Sequence, residues 1–283
     1  MKKIKTYLMQ EFPFLCALPA IIWQTLFLCV PLLIVLYFSF VKDGVWTLAN
    51  YASLFDTAHA RIIGRSLGLA LANVALCLIC AYPVAYFLAI KVQRCKNFLI
   101  FLLALPFWTN FLVQVYAWFF LLGNNGLLET LLRKMGIITS SLHLAHSLTA
   151  VFLVMVYCYI PFMILPIYSV IEKLQRQLLE ASADLGATPW QTFVHITLPL
   201  SMPGIKTGIL LVMVPSFGEF VIPELMGGAK YMMVGSLISY YFLVARDNAI
   251  GAAFTMLSGC VLLIAAYTFH RYIRTPADSW EDH

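Results

Sequence analysis

Long apolar stretches without a single Asp, Glu, Lys or Arg punctuate this chain at 14–40, 66–90, 98–122, 147–171 and 248–270. Each exceeds the roughly 20 residues a helix needs to cross the hydrocarbon core of a bilayer. A sixth run, 203–226, is long enough but carries Lys206 at its start and Glu219 and Glu224 further on. The pattern predicts an all-α membrane protein with six transmembrane helices. It comprises an N-terminal tail (1–13), a spanning domain (14–270) and a C-terminal tail (271–283). Six spans place both termini on the same side.

Composition agrees with this pattern. Hydrophobic residues make up 62% of the chain and charged residues 11%, against about 45–50% and roughly 25% in soluble domains. So few charges cannot cover a surface in water, which excludes a soluble enzyme. Disorder is excluded too, because it needs low hydrophobicity and high charge. The formal net charge of +5 is modest, and nothing points to a nucleic-acid partner. The cysteines are odd in number, seven, and six of them lie in apolar runs. They read as small hydrophobes rather than a disulfide framework.

The placement of the cations is more informative than their sum. Lys2, Lys3, Lys5, Lys91, Arg94, Lys96, Lys173, Arg176, Lys206, Arg271 and Arg274 fall on one side of the six-span plan, 11 in all. Lys42, Arg61, Arg65, Arg133, Lys134, Lys230 and Arg246 fall on the other, 7 in all. Short cytoplasmic loops are the richer in Lys and Arg, so both termini are expected in the cytoplasm. The basic start resembles the opening of a signal peptide. However, the apolar run after it is too long and no small-x-small cleavage site closes it. It is read as a retained first span.

Proline recurs inside the spans, at 19, 31, 83, 106, 161, 166, 215 and 223. Most are accounted for as packing kinks, tolerated where neighbouring helices satisfy the freed carbonyls. The density of Pro215, Gly218 and Pro223 around Glu219 predicts a broken helix lining something. Outside the spans, Leu127, Leu128, Leu131 and Leu132 follow Asn124-Asn125-Gly126 at helical spacing, with Glu129, Arg133 and Lys134 opposite. That is the pattern of a short interfacial helix.

The long loop at 172–202 carries the densest local signals. Leu178, Leu179, Ala181, Ala183 and Leu185 predict a helix that ends at Gly186. A second helix is expected with Thr188 as N-cap, Pro189 in its first turn and Gln191 completing a capping box. Phe193, Ile196 and Thr197 share a face, and Pro199 is expected to stop the helix. The bend carries only small side chains, which suits insertion into a partner's groove. An amphipathic hairpin resting on the bilayer would show the same pattern.

Within this hairpin Glu180-Ala181-Ser182, Gly186, Ile196 and Leu198-Pro199 resemble the E-A-A-x3-G-x9-I-x-L-P motif of ABC importer permeases. Ser182 departs from the usual Ala but is nearly isosteric. The resemblance extends along most of the chain. LANYASLF (48–55), AYPVAYFLA (81–89), LPFWTNFLVQVYAW (105–118), NNGLLETLL (124–132), YIPFMILPIYSVIEKL (159–174) and PSFGEFVIPELMGGAK (215–230) are similar to the spermidine/putrescine branch. Other branches, for ferric ion, opine or another small solute, remain open. The resemblance implies the type I ABC importer permease fold in a bacterial cytoplasmic (inner) membrane. It implies that Glu180, Ala181, Ser182, Asp184, Gly186, Ile196, Leu198 and Pro199 couple to an ABC ATPase dimer. A second, homologous permease and an extracytoplasmic solute-binding protein are the other implied partners.

No G-x-x-x-x-G-K-[ST] occurs, so the chain has no phosphate cradle of its own. No cofactor is expected on it, and ATP is expected to be hydrolysed by the partner. Neither an H-E-x-x-H nor metal-ligand spacing of the six His is present. Cys77 and Cys80 form a C-x-x-C inside a span, which reads as packing. No catalytic set emerges, so the chain is read as a transport subunit and not an enzyme.

Glu219 is the main candidate for contact with a solute. It lies 13 residues beyond Lys206, about 20 Å along a helix. An ionisable group at that depth costs roughly 2.5–3.5 kcal/mol on insertion scales and normally faces a bundle interior or a wet cavity. It reads either as a structural pair with another span or as an anionic site for a cation. Trp108, Tyr116, Trp118, Tyr157, Tyr159, Phe217 and Phe220 are candidates to flank an alkyl-ammonium chain by cation–π contact, with Glu224 near the outer mouth. A proton-driven secondary transporter using Glu219 is the rival reading. The hairpin motif argues against it, since such a transporter has no ATPase to dock.

Overall fold

The structure, a computed structural model, describes residues 2–42, 44–92, 94–123, 126–136, 146–174, 176–228 and 231–272, with side chains from Leu18 onward except those of Arg176 and Tyr272. Asn124, Asn125, Lys230 and the expected tail beyond residue 272 lie outside these residues. Among the described residues, six helical stretches are long and apolar enough to cross a membrane: Leu18–Phe40, Thr57–Lys91, Phe111–Lys134, Leu148–Glu172, Pro189–Gly218 and Asn248–Arg271.

Contacts divide the chain into two units, Met1–Asp56 with Ile238–Gly259, and Thr57–Leu237 with Cys260–His283. The first contains α1 (Lys2–Phe40), a two-residue hairpin of β1 (Val41–Lys42) and β2 (Val45–Trp46), and α2 (Ala49–Ala52). Asn50 locks this turn, because its buried amide donates to the Ser39 and Val41 carbonyls at 3.1 and 3.3 Å. Tyr241, in a π-turn over Tyr240–Val244, packs edge-on against Phe254 of the final helix in the same unit.

The second unit is built on α3 (Thr57–Tyr86), α7 (Leu148–Glu172) and α10 (Leu198–Gly218). Lipid is as apolar as leucine, so helices associate in a bilayer through close packing and polar contacts. Both devices are present. Gly204 and Gly208 form a small-x-x-x-small pair on α10, and a Cβ at Gly204 would lie 2.7 Å from the Pro166 carbonyl oxygen of α7. Polar contacts tie α3 to the segments beyond α7 at three levels. The Asn73 amide donates to Ser216 at 2.8 Å, Tyr82 and Ser201 share a hydroxyl bond of 2.9 Å, and Ser66 accepts from the Val234 N–H at 2.9 Å. Gly204→Ile is therefore expected to separate α7 from α10. Overpacking of this kind costs about 1–3 kcal/mol, and detergent-solubilised yield and thermal midpoint should both fall. A mutant as stable as wild type would show that the close approach is not required.

Several expectations need correction. The run 98–122 is not one helix. It comprises α4 (Lys96–Ala104), a 3-10 turn (Leu105–Trp108) and α5 (Phe111–Leu122), separated at Thr109-Asn110. Pro106 contributes no amide there, and Asn110 starts α5 afresh by accepting from the Leu112 N–H at 2.9 Å. In the run 203–226 the break expected around Glu219 is present, because α10 ends at Gly218 and α11 (Val221–Gly227) begins beyond Glu219.

Pro199 does not stop its helix. A π-turn over Phe193–Thr197 precedes it and leads directly into α10. The wider turn displaces the carbonyls that a proline ring would otherwise strike. Finally, α6 (Leu127–Lys134) forms as a helix but buries Glu129 and exposes Leu127 and Leu131. Arg133 pairs with the carboxylate at 2.7 Å, which offsets part of the cost of its facing inward.

Candidate functional site

The 172–202 loop folds as two short helices about a left-handed turn. After α8 (Arg176–Asp184), Gly186 takes φ of +81°, and the chain closes a Schellman motif. The Gly186 N–H donates to the Ala183 carbonyl at 2.9 Å, and the Ala187 N–H to that of Ser182 at 3.0 Å. Thr188 and Gln191 form the expected reciprocal capping box at the start of α9 (Pro189–Thr192). Ser182 is buried, donates to the Leu179 carbonyl at 2.8 Å and meets the Thr192 hydroxyl at 2.9 Å. The hydroxyl therefore clasps the two arms together, a contact an alanine could not make.

Outward, the bend presents Leu185 (88% exposed) and Trp190 (71% exposed) beside Gly186. Inward, Phe193 sits edge-on against Tyr82 and Tyr86 of α3, with ring centroids 5.5 and 6.2 Å away. The hairpin is thus anchored to a spanning helix through one aromatic wedge, while its tip exposes two large apolar side chains where the sequence suggested only small ones.

At the other end of α10 the helix breaks at Glu219, whose backbone is extended (φ −65°, ψ 131°). Its buried carboxylate accepts from the Val221 and Ile222 N–H groups, at 2.9 and 3.3 Å, through one oxygen. The other oxygen accepts from the Tyr159 hydroxyl of α7. The carboxylate therefore supplies the N-terminal acceptor that α11 lacks, where negative charge is also favoured by the helix dipole.

Beside this pair lies a cavity of about 320 Å³. The break before α5 contributes Pro106, Phe107 and Thr109, α5 itself contributes Phe111 and Gln114, and α7 contributes Cys158, Tyr159 and Phe162, with Glu219 completing the lining. Gln114 and the Thr109 hydroxyl both donate to the Pro106 carbonyl, closing the backbone groups that the break would leave open. Phe107 and Phe162 meet edge-on at 4.8 Å. Irregular backbone at membrane depth is tolerated where it is buried in protein or lines a cavity, and two helix breaks face this one.

Residues 81–274 match the family described as the binding-protein-dependent transport system inner membrane component. The chain belongs to that family. It is 42% identical over 253 residues, 86% of this chain and 88% of the relative, to the spermidine/putrescine transport system permease protein PotB of Salmonella typhimurium (strain SL1344). It is 39% identical over 257 residues, 88% of this chain and 89% of the relative, to PotB of Haemophilus influenzae (strain ATCC 51907 / DSM 11121 / KW20 / Rd). A crystal structure of a bacterial ABC transporter involved in the import of the acidic polysaccharide alginate superposes with a TM-score of 0.77 at 16% identity, over 96% of this chain and 98% of that one. At that identity the likeness concerns the fold, which is that of an ABC importer permease. As a member of the family, the chain is a multi-pass inner-membrane permease subunit.

Of the residues singled out for a solute path in this permease, the fold brings Tyr159 and Glu219 together. Tyr116 and Trp108 are exposed and do not line the cavity, Trp108 instead meeting Phe101 edge-on. Phe217 is buried in the packed interior, Phe220 is exposed, and Glu224 is exposed in the first turn of α11. Trp118 and Tyr157 pack on each other at 5.1 Å. Sequence reasoning missed Phe107, Phe162, Gln114 and Cys158. The Thr109-Asn110 pair ahead of an apolar run was an available signal, since such residues mark helix starts.

Proposed function

We propose that this chain forms half of the translocation pore of an ATP-driven polyamine importer. It pairs with a homologous permease, docks through the 180–199 hairpin into one subunit of an ATPase dimer, and receives solute from an extracytoplasmic binding protein. The chain itself is not an enzyme and binds no cofactor; ATP is hydrolysed by the partner. The observation that carries this reading is the buried Glu219 carboxylate at a helix break, beside a cavity walled by Phe107, Phe162 and Tyr159. A polyamine alternates ammonium groups with methylene chains. The carboxylate attracts an ammonium, and aromatic faces suit both the cation and the methylenes. The names of the relatives support the same solute class.

The two ends of the device are mechanically continuous. Closure of the ATPases pulls on the hairpin, and Phe193 transmits the pull to Tyr82 and Tyr86. The π-turn runs directly into α10, whose 21 residues extend about 30 Å to the Glu219 break. Rocking of α10 therefore changes the cavity wall from a distance.

Reconstitution tests the reading. In proteoliposomes containing the permeases, the ATPase and the binding protein, radiolabelled spermidine or putrescine should accumulate only with ATP. Accumulation that ignores ATP and collapses with an uncoupler would instead identify a proton-driven transporter. Orientation is tested separately in a cysteine-free background. A cysteine at Met135 should react with an impermeant thiol reagent added to intact cells, and one at Leu185 should not. Both positions are exposed, so reversed labelling would invert the topology.

A further inference from the structure

A second cavity, of about 400 Å³, opens where α3 gives way to α4, on the outside of this bundle. Val84, Phe87 and Leu88 form one wall and Leu99, Leu102 and Leu103 the other, with no polar group between them. Two irregularities make the hollow. Pro83 interrupts the amide ladder of α3, and the chain then widens into a π-turn over Phe87–Lys91. Its volume falls in the range of small-molecule sites, about 300–1,000 Å³.

The end of the groove is basic. Lys91 closes the π-turn, Arg94 follows in the connection, and Lys96 opens α4. Lys91 follows Phe87 by four residues, close to one turn of the widened helix, so it continues the chain from the apolar wall by a single turn. Lys96 is bound to the Glu172 carboxylate at 2.7 Å. Lys91 and Arg94 are exposed and enter no ion pair among the described residues. No acidic residue occurs anywhere from 86 to 104. An apolar trough ending in two cations matches an amphiphile of opposite charge, and basic pockets between spanning helices are suited to anionic headgroups.

We infer that this groove is a binding site for an anionic glycerophospholipid, one acyl chain lying between Phe87 and Leu102 and the headgroup phosphate between Lys91 and Arg94. Val84 lies between Tyr82 and Tyr86 on α3 and Phe87 directly follows them, so the lipid braces the segment against which Phe193 rests. Binding itself does not depend on the transported solute.

The test uses the full transport assembly, purified in detergent that strips loosely held lipid, then examined by native mass spectrometry. After incubation with an equimolar mixture of phosphatidylglycerol and phosphatidylcholine, wild type should retain phosphatidylglycerol preferentially. Lys91→Gln with Arg94→Gln, both on the surface, should lower that retention at least ~10-fold while leaving assembly intact. Leu102→Trp, which fills the trough, should abolish it. Equal retention of the two lipids, or retention unchanged in the double charge variant, would overturn the assignment even if Leu102→Trp fails to fold. A photo-crosslinker at Leu102 that captures another polypeptide instead of lipid would overturn it in favour of a protein contact.

Discussion

Gly186→Glu is expected to abolish substrate-stimulated ATP hydrolysis in the assembled transporter while the chain still enters the membrane. Two effects act at once. The residue sits at φ of +81°, where an L side chain costs about 1–2 kcal/mol. A Cβ there would also find nothing within 4 Å in the chain itself, so the new carboxylate enters open space at the hairpin tip. Gly186→Asn separates the effects, because Asn tolerates the left-handed region and carries no charge. It should retain the turn and a measurable part of the stimulation. Normal stimulated hydrolysis by Gly186→Glu would show that the hairpin tip is not what the ATPase grips.

The spans and the hairpin were legible because both rest on local rules. A bilayer demands about 20 apolar residues, and Gly186, Thr188, Pro189 and Gln191 specify a turn and a cap by their own chemistry. The divided α4–α5 segment was missed because no charge marks it and proline is ordinary in spans, so that Thr109-Asn110 was its one local signal. What makes the break tolerable is Gln114, whose amide returns eight residues to the Pro106 carbonyl. Pro199 misled for a related reason, since a proline signals a stop only if the preceding turn is α-helical. At Glu219 the spacing of Pro215, Gly218 and Pro223 disclosed a break. The partner did not emerge, because Tyr159 lies 60 residues away and tertiary pairing leaves no periodic trace. The geometry also makes the structural pair compatible with the solute contact proposed above. One carboxylate caps α11 and lines the cavity, so pairing and solute contact need not compete.

That dual role shapes the outcome expected for Glu219→Gln. The amide oxygen of Gln can keep accepting from the Val221 and Ile222 N–H groups, so the break is retained. Its amide nitrogen can donate to the Tyr159 hydroxyl in place of the bond the carboxylate accepted. Folding should therefore survive, with yield and thermal midpoint near wild type. The charge is lost, and inside the bundle that loss is magnified because the effective dielectric lies well below that of water. Charged hydrogen bonds contribute about 1.5–3 kcal/mol, which corresponds to roughly a 10- to 150-fold change in an equilibrium. ATP-dependent uptake of spermidine or putrescine per molecule should fall by about that factor, while ATPase docking and basal hydrolysis persist. Uptake falling only in proportion to lost protein would assign Glu219 to the cap alone. Undiminished uptake per molecule would remove its charge from the path of the cation.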